Sequence, residues 1–210
     1  MKIALIPGAF KPYHMGHDDL VRIASREVGS DGIVKLFVSL GDRGVTKTGK
    51  VKPGEFVIYG DRMRKVWDTY LRQAVESSYP NVEVIYAIKS PVAHVFDELK
   101  ENDGSSNEYI IYSDTDDIST YKDATLRMTA PNLFSRGLIV RRGVERGVET
   151  INLSGTKMRG FLVSGDTEKF SLMLPNSVRQ YANQILNMLR GDSSITESLL
   201  RNYVRLLLSR

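Results

Sequence analysis

Apolar residues recur along the chain in two spacings. Short runs at Ile3–Ile6, Ile33–Leu40, Val82–Ile88, Tyr109–Tyr112 and Leu138–Val140 have the length and β-branched or aromatic content of buried strands. Between them the spacing changes to three and four. Leu20, Val21, Ala24 and Val28 form one helical stripe; Met63, Val66, Trp67, Tyr70, Leu71, Ala74 and Val75 form a longer one, which places Trp67 in the core. Ser90-Pro91 reads as a helix start ahead of Val92, Val95, Phe96 and Leu99, because proline is preorganised for the first helical position. His94 falls inside that helix and is read as structural. Strands alternating with helices predict an α/β fold, a Rossmann-like five-stranded parallel sheet with helices on both faces. After Ser154 the pattern predicts helices only, one carrying Met158, Phe161 and Leu162, another carrying Val178, Tyr181, Ala182, Ile185 and Leu189 and ended by Gly191.

Some segments carry no clear period. Gly41–Phe56 is glycine-rich and holds Arg43, Lys47, Lys50 and Lys52; it reads either as a solvated loop or as a lid meeting substrate phosphates. Ser113-Asp114-Thr115-Asp116-Asp117 follows the fourth strand on the side of the sheet where ligands bind. Its carboxylates either cap the next helix or contact substrate, and Arg43, Ser113, Asp114 and Asp116 are candidate substrate residues. Tyr121–Phe134 gives no assignable element. The closing segment opens on the capping box Ser194-Ile195-Thr196-Glu197 and continues through Leu199, Leu200, Tyr203, Val204 and Leu207. Residues 191–210 therefore read as an amphipathic helix appended to a domain over 1–190. That helix would dock a protein partner, form an oligomer contact or pack on its own domain.

A chain of 210 residues with 41% apolar and 26% charged side chains is long enough to bury one ordinary globular core. The absence of cysteine removes disulfides and thiolate metal sites and fits a reducing compartment, so a cytoplasmic protein is expected. No apolar run has membrane-spanning length, and Met1-Lys2 leads into a strand rather than a signal peptide. The net charge of +4 suits phosphorylated small molecules and is too weak to argue for nucleic acid.

The densest chemistry lies in Gly8-Ala9-Phe10-Lys11-Pro12-Tyr13-His14-Met15-Gly16-His17, between the first strand and an amphipathic run starting near Asp18. His14 and His17, three residues apart, share one face of the helix entrance. A helix N-terminus offers unpaired N–H groups and a positive dipole end, and imidazoles add donors for phosphate oxygens.

This Gly-x-Phe-x-Pro-x-His-x-Gly-His pattern, with Ser154-Gly155-Thr156-Lys157-Met158-Arg159 late in the chain, resembles the nucleotidylyltransferase superfamily. Together with Gly160–Gly165 and Leu174–Val178, it is most similar to archaeal-type nicotinamide-mononucleotide adenylyltransferases. Ala9 departs from that branch, which usually has arginine there. The resemblance implies transfer of a nucleoside monophosphate from a nucleoside triphosphate to a phosphorylated small molecule, with pyrophosphate released. It implies catalytic roles for His14, His17, Lys11 and Arg159, with His17 nearest the α-phosphate. Gly8, Ala9, Phe10, Gly16, Ser154, Gly155 and Thr156 would bind nucleotide. ATP or CTP would be co-substrate, with Mg²⁺ held through phosphate oxygens rather than by protein ligands, and a homo-oligomer is expected. A cytidylyltransferase acting on an alcohol phosphate is the rival, although the Ser-Gly-Thr form leans towards adenylyl transfer. A non-catalytic module docked through its C-terminal helix is the alternative of another class.

Overall fold

The computed structural model describes residues 1–46, 48–53, 55–144 and 154–191. The expected helix at 194–210 and Lys47 lie outside the described residues. The sheet has five parallel strands in the order β3-β2-β1-β4-β5. These are β1 (Lys2–Gly8), β2 (Ile33–Ser39), β3 (Val82–Ala87), β4 (Glu108–Asp114) and β5 (Ile139–Val144).

The inner strands β2, β1 and β4 are covered on both faces, which is why they read as nearly continuous apolar runs, whereas edge strand β3 exposes Glu83 and edge strand β5 exposes Arg141, Arg142 and Gly143. In β1, Ala4 and Ile6 face one core, with Leu36, Val38, Ile110 and Tyr112 from neighbouring strands. Ile3 and Leu5 face the other, with Phe37, Tyr109 and Ile111. The first core is covered by α1 (Met15–Val28), by the helical stretch Gly60–Ser78, and by α7 (Gly155–Ser164), α8 (Thr167–Met173) and α9 (Ala182–Arg190). The second is covered by α4 (Pro91–Glu101), α5 (Asp123–Thr129) and α6 (Pro131–Ser135). Ser90 caps α4 as its sequence suggests, its hydroxyl accepting the Ala93 N–H at 3.1 Å.

Several boundaries differ from the sequence expectation, each for a local reason. The first helix begins at Met15, not near Asp18, because His14 serves as its N-cap. The long apolar stripe is α2 (Gly60–Val66), a π turn at Trp67–Leu71 and α3 (Arg72–Ser78), with Trp67 and Leu71 buried inside the turn. Ile88 lies beyond β3 and is 89% exposed. Tyr181, expected to face inward, is 37% exposed and packs on Tyr70 at 5.0 Å between ring centroids. β4 runs on to Ser113 and Asp114, carrying both to the edge of the site. The unassigned stretch holds α5 and α6, split at Pro131, whose ring starts α6. Among the described residues, no helix is long and apolar enough to cross a membrane.

Candidate functional site

The strand order reverses direction between β1 and β4, and a crevice at the carboxyl ends of those strands is where such sheets bind ligands. A cavity of about 360 Å³ lies there. β1 and the turn after it supply Gly8, Ala9, Phe10, Lys11, His14 and His17. The end of β4 supplies Ser113, Asp114 and Asp117. The start of α7 adds Ser154, Gly155, Thr156 and Arg159, and Arg43 comes from the arm after β2.

The histidines cap their own helix reciprocally. His14 Nδ1 accepts the Gly16 N–H at 3.1 Å, and His17 Nδ1 accepts the His14 N–H at 3.3 Å. The two rings stack with centroids 3.7 Å apart and an interplanar angle of 21°. An imidazole accepting at Nδ1 carries its proton at Nε2, so this arrangement assigns both neutral rings the same tautomer. It also uses backbone donors that the sequence reading leaves for a ligand. The Gly16 N–H is spent on His14 and the His17 N–H on the His14 carbonyl at 2.8 Å, so these two backbone donors are used within the helix start.

Phe10 sets the turn. It has φ +48°, the left-handed region, and is 2% exposed. Its ring lies over Gly8, where a Cβ would come within 2.4 Å of the ring, so only glycine fits. The ring meets His17 edge-on at 4.9 Å and 90°. Tyr13 packs against the same imidazole at 5.7 Å and against Trp67 at 5.1 Å. The catalytic candidate His17 is thus wedged by aromatic rings fixed in the core.

At the opposite wall, the Ser154 hydroxyl caps α7 by accepting the Lys157 N–H at 3.1 Å. Thr156 Oγ1 accepts from Arg159 Nη2 at 3.0 Å, which leaves the threonine proton for another acceptor. Arg159 is 4% exposed and reaches across to the Lys11 carbonyl at 3.5 Å. A Cβ on Gly155 would stand 3.2 Å from the same guanidinium. Burial pushes the Arg159 guanidinium below its ordinary range, Glu55 pulls it back up and Arg43 lowers it further. The Arg159 Nε is buried with no hydrogen-bond partner. Lys11 is 3% exposed; burial lowers its pKa to about 8, against the raising influence of Asp42 and with the lowering influence of Arg43. Its Nζ donates to the Gly41 carbonyl.

No protein-family model matches the chain, and no curated protein matches it. Among solved structures it is similar to Thermotoga maritima TmcAL bound with alpha-thio ATP, at a TM-score of 0.49 and 12% identity, covering 89% of this chain and 56% of that one. The chain therefore spans little more than half the length of that protein.

The structure places two of the expected residues outside the cavity wall and brings three others to the site. Asp116 is exposed and lies outside the cavity wall, where Asp117 stands instead, because the chain turns into a 3-10 segment at Ile118–Thr120. Gly16 does not line the cavity either; its N–H is turned inward by the histidine cap. Glu55 was not anticipated, yet its carboxylate binds Arg159 Nη2 at 3.1 Å. Nor were Pro7 and Leu20, which complete the wall beside the histidines. The arm that delivers Glu55 is tied at its base by the Arg43–Ile58 backbone bridge and by Asp42 accepting the Gly60 N–H at 2.8 Å. No sequence signal marks Glu55, since an isolated acidic residue in a loop has no periodicity. Among the described residues, no group of three or more His, Cys, Asp or Glu could hold a metal ion.

Proposed function

We propose that this chain is a nucleotidyltransferase, moving a nucleoside monophosphate from a nucleoside triphosphate to a phosphorylated small molecule and releasing pyrophosphate. ATP is the donor and nicotinamide mononucleotide the acceptor. One observation carries the reading. Two helix starts far apart in the sequence, His14–His17 and Ser154–Arg159, meet in one cavity whose wall also holds Lys11. Imidazole, guanidinium, ammonium and hydroxyl donors facing one another suit a polyanion.

A phosphate oxygen of the acceptor attacks the α-phosphorus, and the bond to the β-phosphate oxygen breaks. No proton need leave the nucleophile and no covalent enzyme intermediate forms, so positioning and charge stabilisation supply the catalysis. His17 and His14 donate from Nε2 to oxygens of the α-phosphate and the triphosphate as charge gathers there. Ser154 and Thr156 hold the β- and γ-phosphates at the positive end of α7. Arg159 forks onto the departing pyrophosphate, and its unpartnered Nε supports an anion there. Lys11 supplies the cation that Ala9 cannot. This donor-rich wall suits phosphate oxygens better than a bare divalent cation, so Mg²⁺ would enter on the triphosphate and neutralise charge there.

Pyrophosphate release from ATP and from CTP, measured across a panel of phosphorylated acceptors, tests the proposal. Turnover with ATP and nicotinamide mononucleotide is expected. Turnover with CTP and an alcohol phosphate alone would replace it by the cytidylyl reading, and no turnover with any pair would remove it.

A further inference from the structure

Asp18 stands in the first turn of α1, next to His17 but outside the cavity wall. It is half-buried and holds two phenols from different parts of the chain. Tyr13 donates to its Oδ1 at 3.1 Å, and Tyr79, where α3 ends, donates to its Oδ2 at 3.0 Å. Burial first and the Asp18 charge second push both phenols well above their ordinary range, so each stays protonated and keeps donating. Taking a carboxylate out of water is costly, and an apolar side chain would fill the same place without that cost. The positive end of α1 and the two hydrogen bonds offset it. The net gain is orientation, since a carboxylate held from both sides fixes the rings that hold it.

Tyr13 carries that orientation to the site. It is 1% exposed, and its ring meets the His17 imidazole at 31° with Trp67 packed against it. Phe10 and His14, which also pack on His17, belong to the same turn. The Tyr79 bond, by contrast, comes from 61 residues away. The chain just after Tyr79 is fastened to the far end of α1. Asn81 accepts from the Ser25 hydroxyl at 2.6 Å, and its amide donates to the Ser25 and Gly29 carbonyls at 3.1 and 2.9 Å. Both ends of α1 are thus tied to the turn between α3 and β3, and the tie at its first turn reaches His17 through one ring.

We infer that Asp18 is a positioning residue for His17, acting through Tyr13 and held by Tyr79; its effect on rate rests on the proposed transfer reaction, its effect on the imidazole does not. Asp18 fixes the tilt of the Tyr13 ring, and that ring forms one side of the slot that holds His17. A donor to developing charge works only in a narrow range of positions, so a small shift caused away from the chemistry slows the step. A purely structural carboxylate would change the melting temperature and leave both the imidazole and the rate of the folded protein as they are.

Asp18→Asn, Tyr13→Phe, Tyr79→Phe and the Asp18→Asn, Tyr13→Phe double variant are compared with the wild type on the full chain. Single-turnover pyrophosphate release with ATP and nicotinamide mononucleotide reads the rate. NMR signals of the His17 ring without substrate read its placement, with His94 in α4, over the other core, as the control. An asparagine amide accepts at one oxygen only, so one phenol loses its acceptor. Asp18→Asn should slow the step about tenfold and leave KM for ATP within about twofold, because Asp18 is outside the cavity wall. Tyr13→Phe should do the same, and the double variant should be no slower than the slower single one, since both act through one ring. Tyr79→Phe, with its turn still held by Asn81, should slow the step about threefold. His17 signals should move in every variant and His94 signals should not. Unchanged His17 signals, an unchanged rate, a rise in KM alone, or losses that multiply in the double variant each overturn the inference, and wild-type turnover then keeps the transfer reading. Should Asp18→Asn fail to fold, Tyr79→Phe decides by the same two readings. If the wild type releases no pyrophosphate from any triphosphate, the transfer reading falls and the His17 signals alone decide: moved signals keep Asp18 as the positioning residue, and unmoved signals end that role.

Discussion

Glu55→Gln separates the two states that the Arg159 guanidinium would occupy. In the free protein its Nη2 lies 3.1 Å from the Glu55 carboxylate, with the arginine side chain 5% exposed and the glutamate 29%. At an effective dielectric of about 20, opposite charges that close attract by roughly 5 kcal/mol, most of it offset by desolvation of the arginine. A partly exposed partner leaves a net of about 1–2 kcal/mol. A triphosphate using Arg159 must displace Glu55 and give up that amount. Removing the carboxylate therefore does two opposite things. It leaves a buried guanidinium without its counter-charge, which should lower the melting temperature of the free protein by about 3–8 °C for a domain of this size. It also removes the competitor, so the KM for ATP should fall about tenfold, 1.4 kcal/mol being a factor of ten. Thermal melts with and without ATP, beside pyrophosphate-release kinetics, read both. The stabilisation by saturating ATP should be larger in the variant, because ligand stabilises in proportion to its affinity for the folded form. A variant that melts lower and also binds ATP more weakly refutes the competition; Glu55 would then be holding Arg159 in its working position.

The other predictions concern the proposed donors and a built-in reporter. His17→Ala should cut the single-turnover rate about 10²–10³-fold, the usual cost of one transition-state donor, while the fold survives the loss of a cap worth about 1 kcal/mol; unchanged turnover would end its catalytic role. Arg159→Lys keeps the charge but loses the fork, so KM for ATP should rise about tenfold with a smaller change in kcat. Lys11 has a folded pKa of about 8 against an ordinary 10.5, so its protonated form is penalised in the folded state and stability should rise as pH climbs between those values. Over the same range the site loses a cation, so kcat/KM for ATP should fall above about pH 8, and Lys11→Arg should flatten that limb. Trp67 is the sole tryptophan and its ring centroid lies 6.4 Å from that of Phe10, so ATP binding should change its emission, an effect that a titration of the His17→Ala protein should show diminished.

The sheet was legible because its inner strands are covered on both faces and so carry apolar runs, interrupted only at Lys35 in β2; the edge strands were marked by shorter or broken runs, Glu83 in β3 and Arg141-Arg142 in β5, and each run matches its strand to within a few residues. The two ends of the candidate site were legible for a different reason. Their key contacts are local: His14 to Gly16, His17 to His14, Ser154 to Lys157 and Arg159 to Thr156 all span two or three residues, so spacing along the chain is also spacing in space. What stayed hidden depends on long-range placement without periodicity. Glu55 reaches Arg159 from an arm held by isolated backbone bridges, the Asp42 carboxylate and Lys11 rather than by a periodic element. Tyr121 sits ahead of α5 and α6, which at seven and five residues are too short for an apolar stripe to build up.

That division has a functional consequence. Groups fixed by local geometry keep their positions whenever their own helix start forms, so in the proposed reaction they would serve the step common to every substrate pair, the charge developing at the α-phosphate and pyrophosphate. Groups delivered by irregular segments depend on the rest of the fold and can change without disturbing the helix starts, so Glu55 would modulate how readily Arg159 is released to any triphosphate. Substitutions in 8–17 and 154–159 should therefore act mainly on the chemical step and on the use of any triphosphate. Substitutions at Glu55 should instead change KM and leave the single-turnover rate at saturating triphosphate unaltered, and a Glu55 variant that slowed that rate would contradict the division.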